Sequence, residues 1–188
     1  VSGGLDSTLA LLVCARTLDL LARPRAGLLA VTMPGFGTSA RTLESARGLA
    51  QAWGAELREI DIKAACEQHI RDIGLDLGDQ QSVTFQNLQA RERTQVLMDL
   101  ANKEGGIVVG TGDLSELALG FATFAGDQIA MYNVNASVPK TLVRRLVAWV
   151  AEHHASASER EVLRAVPGFP GMTISKALGC GATVRHAP

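Results

Sequence analysis

The chain has 188 residues, of which 47% are hydrophobic and 20% charged, and its formal net charge is −1. This length and composition describe a globular domain that buries a core, and they exclude a disordered chain. A net charge near zero disfavours nucleic acid or an anionic membrane as the main partner, although a local basic pocket for one small phosphate ligand stays open.

Cysteine usage and hydropathy bound the compartment. Cys14, Cys66 and Cys180 are widely scattered, form no CxxC pair and show no metal-ligand spacing with the histidines. This spacing favours reduced thiols in a cytosolic protein. No apolar run approaches the roughly 20 residues of a membrane helix. We therefore expect a cytoplasmic protein without a membrane span.

Helix and strand patterns alternate along the chain. The first is a helix with apolar residues at helical spacing, among them Leu9, Leu12, Val13 and Leu20. Later patterns predict a buried strand over 27–34, a helix capped by Ser39 and ended by Gly54, a strand over 55–62, a long helix over 83–106, a buried strand starting at Ile107, and an amphipathic helix around 137–154 with Leu142, Leu146, Val147 and Val150 on its inner face.

This alternation predicts an α/β fold, a doubly wound parallel sheet flanked by helices of the Rossmann-like kind. Such sheets bind ligands at the carboxyl ends of their strands, so polar segments that follow strands are candidate site segments. We expect one domain over residues 1–155. Residues 156–188 have weaker periodicity, and there we expect a short helix over Glu159–Ala165 followed by a poorly ordered tail.

The segment VSGGLDS, residues 1–7, is typical of a strand, a tight turn and a helix start. Glycines let the backbone approach a ligand closely, and the free N–H groups of a helix N-terminus bind an anion such as phosphate. Asp6 is out of place beside an anion unless a cation such as Mg²⁺ lies between them. The alternative is an ordinary strand-to-helix turn in which Asp6 or Ser7 caps the helix. The segment matches neither the Walker A pattern nor GxGxxG.

Two later residues complete this chemistry. Glu116, beyond the strand at 107, is a second carboxylate that can share Mg²⁺ with Asp6, and its alternative is a solvated glutamate at a helix start. Lys140 lies at a helix start, where the helix dipole disfavours a cation, so a phosphate partner is favoured over a plain surface lysine.

The segment SGGLDS resembles the pyrophosphatase loop of the N-type ATP pyrophosphatases, the adenine nucleotide alpha hydrolase superfamily, which cleave ATP between its α and β phosphates. Three later segments, VTFQNLQARERTQVLMDLAN, GTGDLSELALGFATFAGDQ and YNVNASVPKTLVRRLVAWV, resemble in the same order the synthetase domain of bacterial glutamine-dependent NAD⁺ synthetases. The resemblance covers about 1–150.

The resemblance implies ATP-dependent amidation of deamido-NAD⁺ to NAD⁺ through an acyl adenylate, with ATP and Mg²⁺ bound at the site. It implies catalytic roles for Asp6, Glu116 and Lys140, and Mg²⁺ ligation by Asp6 and Glu116. The residues that it assigns to ATP are Ser2, Gly3, Gly4, Asp6, Ser7, Val31, Met33, Ser39, Thr111 and Lys140. Those that it assigns to the dinucleotide are Asn87, Arg91, Glu116, Phe121, Ala122, Thr123, Phe124 and Asp127.

Two of these assignments keep an ordinary alternative. Thr111 can serve turn chemistry alone, and Arg91 can belong to a solvated helix face. Another family feature finds no match, because relatives supply a further lysine from a segment beyond about Ala155. Lys176 cannot be aligned with it.

The family's glutaminase domain normally precedes this one and supplies ammonia. Nothing of it is in the sequence, and the first strand is expected to be cut short. We expect the chain to use free ammonia, and the whole protein to take glutamine and to form a homo-oligomer.

Two other functions remain. One is a different ATP pyrophosphatase that amidates or thiolates another substrate, such as a GMP synthetase; the ELALGFATFAGDQ segment counts against GMP and asparagine synthetases, and the charge counts against tRNA. The other is a non-catalytic adenine-nucleotide binding module, which would not need Asp6, Glu116 and Lys140 together.

Overall fold

The computed structural model of the chain describes residues 1–170, in which helices and short parallel strands alternate. The helices are α1 Leu5–Leu20, α2 Ala40–Ala52, α3 Lys63–Asp72, α4 Val83–Glu104, α5 Leu114–Leu119, α6 Lys140–His153 and α7 Ala157–Ala165, with a 3₁₀ turn at Arg25–Gly27. The strands are β1 Leu29–Thr32, β2 Glu56–Glu59, β3 Val109–Gly110 and β4 Tyr132–Asn133.

All the strand pairs of the described part are parallel. β1 pairs with β2 from Leu29 opposite Glu56 to Thr32 opposite Glu59, and β3 pairs with β4 at Val109–Tyr132 and Gly110–Asn133. The backbone nitrogen of Val1 donates to the carbonyl of Val31, so the chain segment ahead of α1 lies beside β1. α1, which follows this segment, contacts β3.

Helices cover β1 on both faces. Val31 and Met33 pack into one core cluster with α3 and α4, whose largest buried member is Phe85. Successive side chains of a strand point to opposite faces, so Ala30 and Thr32 point away from this cluster. α2 contacts both β1 and β2, and it shares a second core cluster with α1, α6 and α7. This arrangement confirms the predicted α/β fold with a doubly wound parallel sheet.

Local signals fixed most helix ends. The Ser39 hydroxyl accepts a hydrogen bond from the Thr42 N–H and caps α2, as predicted, and Gly54 follows that helix at φ +66°. Ser82 caps α4 in the same way, and Gly105 ends it in the left-handed conformation at φ +65°. Glycine adopts this region without the Cβ penalty of other residues.

The inner face predicted for α6 is wrong at one position. Leu142 is 42% exposed, whereas Val143, Val147 and Ala151 are buried. These three residues repeat every fourth position and form the stripe that packs against α1 and α7, and Leu142 lies about 100° around the helix from Val143. Leu146 and Val150 are partly buried beside the stripe.

Other differences concern elements that are short or weakly patterned. The strand predicted from Ile107 is confined to Val109–Gly110, and Ile107 is 67% exposed because it lies outside the region that pairs with β4. α3, α5 and β4 have no counterpart among the predicted elements. Val13 and Leu20, apolar positions of the first predicted helix, are 39% and 70% exposed.

α7 begins two residues before the predicted start of the short helix, because Ser156 and Glu159 form a capping box there. Leu163 and Val166 belong to the same core cluster as α1 and α6. The predicted division of the chain between residues 155 and 156 stays a prediction. The expected tail from residue 171 onward, which includes Lys176, lies outside the described part of the chain. Within residues 1–170, none of the helices has the length and apolar character needed to cross a bilayer.

Candidate active site

The glycine turn at residues 2–4 connects Val1, which lies beside β1, to the start of α1. Gly3 has φ +80°, and a Cβ placed there would lie 2.3 Å from the backbone oxygen of Thr42 in α2. Gly4 is the N-cap residue of α1 at φ −93° and would meet only the Ser2 hydroxyl, at 3.6 Å. Gly3 is thus required by the close approach of the turn to α2, and Gly4 leaves open space at the helix N-terminus.

The serines of this turn bond to one another. Ser2 Oγ and Ser7 Oγ lie 3.1 Å apart, and the Gly4 N–H donates to Ser2 Oγ at 3.4 Å. The Ser7 hydroxyl donates to the Gly4 carbonyl. Hydroxyl groups held next to a helix N-terminus are suited to exchange these mutual bonds for bonds to phosphate oxygens.

Three carboxylates surround the ammonium group of Lys140. Nζ of Lys140 lies 2.6 Å from Asp6 Oδ2, 2.8 Å from Asp113 Oδ2 and 3.1 Å from Glu116 Oε1. The Lys140 side chain is 36% exposed, and that of Asp113 is fully buried. We call these four residues the carboxylate–lysine cluster. It unites Asp6, Glu116 and Lys140, the three residues predicted to be catalytic.

Each member of the cluster lies at the N-terminal end of a helix, which sets its position. Asp6 is in the first turn of α1, and Lys140 is the first residue of α6, where its N–H donates to Ser115 Oγ. Asp113 and Glu116 form the capping box of α5: Asp113 Oδ1 accepts from the Glu116 N–H at 2.9 Å, and Glu116 Oε2 accepts from the Asp113 N–H.

The electrostatics of the cluster follow from this packing. Burial alone would lower the pKa of Lys140, but its bonds to Asp113 and Asp6 outweigh burial and raise that pKa above its ordinary value. Burial would raise the pKa of Asp113, but Lys140 and the Glu116 N–H outweigh it and lower that pKa. Burial raises the pKa of Asp6 above its ordinary value, although its bond to Lys140 works in the opposite direction.

The carboxylates fit a divalent cation. Asp6, Asp113 and Glu116 offer oxygen atoms that all lie within 4.8 Å of one another. Oδ1 of Asp6 is buried and has no hydrogen-bond partner, so it retains lone pairs for a further ligand. Hard oxygen donors are the ligands that Mg²⁺ prefers, and a buried acceptor without a partner indicates a missing one.

Asn135 connects the chain segments that carry the carboxylate–lysine cluster. It is buried, and its Nδ2 donates to the carbonyl of Asp6 at 3.0 Å and to the carbonyl of Thr111 at 3.1 Å. Thr111 directly follows β3, and Asn135 comes two residues after β4. The carboxyl ends of the two strands therefore meet the N-terminus of α1, the edge at which sheets of this kind bind ligands.

A cavity adjoins the cluster on the Glu116 side. Its lining includes three of the residues predicted for the dinucleotide, Glu116, Ala122 and Asp127, together with Asn133. The pocket edge is fixed by hydrogen bonds, since the Thr123 N–H donates to Asp127 Oδ1 at 2.8 Å.

The other predicted dinucleotide residues are joined across two elements. The Thr123 hydroxyl donates to Asn87 Oδ1 at 2.9 Å, and Arg91 Nε donates to the Phe124 carbonyl at 3.0 Å. Phe121 and Phe124 are 61% and 79% exposed. The structure therefore brings α4 and the segment 121–127 together beside the cavity.

The residues predicted for adenine lie farther along β1. Val31 and Met33 are buried, with side chains in the core cluster of α3 and α4. The Ser39 hydroxyl is engaged in capping α2. Contact of these three residues with adenine stays a prediction.

Sequence reasoning missed two residues of the site. Asp113 had a usable signal, because the spacing D-x-x-E from Asp113 to Glu116 is the capping-box pattern at a helix start. Asn135 had none, because its partners Asp6 and Thr111 are 129 and 24 positions away.

A parallel α/β sheet, a glycine-serine turn at a helix N-terminus and carboxylates suited to Mg²⁺ define the class: a nucleotide-binding α/β domain with a phosphate loop. The family model of NAD synthase matches residues 1–167. The chain belongs to the NAD synthase family.

Individual relatives agree. The chain is 51% identical over 154 residues to the glutamine-dependent NAD(+) synthetase of Mycobacterium leprae, a match that spans 80% of this chain and 23% of that protein. It superposes on the glutamine-dependent NAD⁺ synthetase of Acinetobacter baumannii, solved in complex with ADP, with a TM-score of 0.73 and 30% identity over 87% of this chain and 30% of that one.

A second solved structure is the NH3-dependent NAD synthetase of Campylobacter jejuni, in complex with the nitrate ion. The TM-score is 0.71 and the identity 28%, over 81% of this chain and 62% of that one. The chain thus spans about a quarter of the length of the Mycobacterium leprae relative and more than half of this shorter enzyme.

Proposed function

We propose that this chain forms the ATP-dependent synthetase site that amidates deamido-NAD⁺ to NAD⁺. The observation that carries the proposal is the carboxylate–lysine cluster at the N-terminus of α1, beside a cavity lined by Glu116, Ala122 and Asp127. Membership in the NAD synthase family and the ADP complex of a related structure support it.

In this proposal the turn at Ser2–Ser7 binds the ATP phosphates. The hydroxyls of Ser2 and Ser7 exchange their mutual bond for bonds to phosphate, and the open backbone at Gly4 lets phosphate oxygens reach the helix N-terminus. In this proposal Thr111, which follows β3, also contacts ATP. Val31, Met33 and Ser39 lie along the chain that receives adenosine.

Asp6 and Glu116 would hold Mg²⁺, with the buried Asp113 as a third carboxylate. When bound, the ion would supply positive charge that neutralises the phosphates during displacement. Lys140 then turns from the carboxylates to the phosphates, which keeps its positive charge paired.

The dinucleotide binds at the cavity lined by Glu116, Ala122 and Asp127 and extends along the adjoining contact between α4 and the segment 121–127. In this proposal Asn87, Arg91 and Asp127 supply polar groups to the dinucleotide, and Phe121, Ala122, Thr123 and Phe124 supply the remaining contacts. A carboxylate oxygen of nicotinate attacks the α phosphorus, the bond to the bridging oxygen breaks, and pyrophosphate leaves with the electron pair. Ammonia then attacks the acyl carbon, AMP leaves with the electron pair of the broken C–O bond, and the nitrogen loses its one extra proton to solvent to give the amide.

No side chain acts as a nucleophile in this sequence of steps. Catalysis comes from alignment of the two substrates and from neutralisation of charge at the phosphates. This agrees with the positions of Cys14 and Cys66, which are free thiols outside the cluster.

We propose that the whole protein draws ammonia from glutamine in a further domain. The Mycobacterium leprae relative is named a glutamine-dependent NAD(+) synthetase and is about four times as long as the matched region. We also propose a cytoplasmic homo-oligomer. Leu119, Phe121, Phe124 and Tyr132 are each more than 60% exposed and concentrate in one segment, which is the kind of surface that self-association covers.

The test is pyrophosphate release from ATP by the purified chain with deamido-NAD⁺ and ammonia, compared with xanthosine monophosphate or aspartate as the acid. Of the three acids, we expect only deamido-NAD⁺ to give pyrophosphate release, together with formation of NAD⁺. Release with another acid but none with deamido-NAD⁺ would overturn the proposal in favour of a different ATP pyrophosphatase.

A further inference from the structure

Helix α4 carries two polar stripes that serve different parts of the molecule. Asn87 and Arg91, four residues apart, bond to Thr123 and Phe124 beside the dinucleotide cavity. Gln89 and Arg93 form a second four-residue stripe, about 200° around the helix from the first. This second stripe faces the loop at residues 33–38 that follows β1, which we call the β1 loop.

Gln89 is bonded at both ends of its amide. Oε1 accepts from the Phe36 N–H in the β1 loop at 3.1 Å, and Nε2 donates to the Phe85 carbonyl at 3.1 Å. The side chain is 4% exposed. A buried amide that makes these bonds stabilises one loop conformation, because breaking either bond leaves a buried polar group without a partner.

Arg93 reaches the same loop one helical turn later. Its Nε donates to the Met33 carbonyl at 3.1 Å, at the point where β1 passes into the loop. No carboxylate pairs with its guanidinium in the described part of the chain. Its contact is with loop backbone, which is unusual for a largely enclosed charge.

Gly35 shows how closely the two side chains enclose the loop. A Cβ at Gly35 would lie 2.6 Å from Gln89 Oε1 and 2.8 Å from Arg93 Nη2, whereas a Cβ at Gly37 would meet nothing within 4 Å. The glycine at 35 therefore makes room for the ends of Gln89 and Arg93.

We propose that Gln89 and Arg93 are positioning residues for ATP, which hold the β1 loop in the conformation that receives adenosine. The inference rests on the proposed function, in which adenosine lies along this loop. Neither residue has to touch ATP. They act through the backbone of Met33 and Phe36, so their loss weakens ATP binding and leaves the dinucleotide stripe of Asn87 and Arg91 unchanged.

The experiment uses two matched pairs in the full chain. Gly35→Ala displaces the ends of Gln89 and Arg93, and Gly37→Ala is its control in the same loop. Gln89→Met removes both hydrogen bonds at similar size, and Gln95→Met is its control at an exposed position of the same helix. Dissociation constants for ATP and for deamido-NAD⁺ are measured separately by calorimetry, with thermal unfolding of each variant.

We expect Gly35→Ala and Gln89→Met to weaken ATP binding about tenfold, as the loss of one or two buried hydrogen bonds implies. Binding of deamido-NAD⁺ should stay at the wild-type value, and both controls should match wild type. Equal weakening of both ligands, or ATP affinity of Gly35→Ala equal to that of Gly37→Ala, would overturn the inference. Wild-type chain that binds neither ligand would instead overturn the proposed function.

Discussion

Nζ of Lys140 lies 2.6 Å from Oδ2 of Asp6, although 134 positions separate the two residues. Asp113 and Glu116 share the same ammonium. Lysine thereby pairs with a carboxylate set whose oxygen atoms suit a divalent cation.

Asp6→Asn should abolish turnover and preserve the fold. The amide has nearly the same shape but cannot supply the negative oxygen that the cation needs, so we expect a fall in turnover of about 100-fold or more. Pyrophosphate release measures the loss. Lys140 keeps Asp113 and Glu116 as partners, so thermal unfolding should stay close to wild type. Wild-type turnover in this variant would remove the metal role of Asp6.

Lys140→Met should make the protein depend on Mg²⁺ for stability. Without the ammonium, three carboxylates repel one another, and we expect a loss of about 1 kcal/mol in the free energy of unfolding, reduced by partial solvent exposure. Millimolar Mg²⁺ should raise the Tm of the variant more than that of wild type. Lys103→Met, at an exposed position of α4, is the control and should show no Mg²⁺-dependent difference. An equal Mg²⁺ response of Lys140→Met and wild type would contradict the cation site.

Asp113→Ala should destabilise the protein, and Asp113→Asn should do so much less. Alanine loses both the cap of α5 and the partner of Lys140, at a cost of about 1–3 kcal/mol. Asparagine keeps a cap oxygen for the Glu116 N–H. Urea unfolding compares the two. The Ser156→Ala variant, which removes the cap of α7, should cost about 1 kcal/mol without changing pyrophosphate release. Equal unfolding free energies for Asp113→Ala and wild type would show that this cap contributes nothing.

Gly3→Ala should be far more damaging than Gly4→Ala. At position 3 the new Cβ meets the Thr42 backbone oxygen at 2.3 Å and the backbone must hold φ +80°, which together cost about 1–3 kcal/mol or more. At position 4 neither constraint applies. Thermal unfolding of the two variants provides the comparison. If both lose the same stability, the close approach to α2 is not what requires Gly3.

Leu163→Ala tests whether α7 belongs to the main core. Leu163 is fully buried in the cluster with α1 and α6, so its truncation should cost about 2–5 kcal/mol in one cooperative unfolding transition. Leu142→Ala, at the exposed position of α6, should change stability by less than about 0.5 kcal/mol. A second, separate unfolding transition in Leu163→Ala would support a distinct unit from residue 156.

The fold class and most element ends could be predicted from the sequence because their causes are local. Helical spacing of apolar residues marked α1 and α6, and Ser39 and Gly54 marked the limits of α2. The prediction was weaker where an element owes its existence to a neighbour. β3 and β4 pair over two residues each, too few to leave a pattern. The exposed Leu142 shows the same limit, because which apolar stripe is buried depends on where α1 and α7 lie.

The sequence by itself determined the phosphate-type turn, the family, and the identity of Asp6, Glu116 and Lys140 as one chemical set, since these are properties of short segments and of residue type. Only the tertiary structure decided that Lys140 faces the carboxylates, that Asp113 joins them, that Asn135 ties Asp6 to Thr111, and that Gln89 reaches across 53 positions to Phe36. Contacts between distant segments arise when strands and helices pack, and packing leaves no spacing in the chain that could be read beforehand.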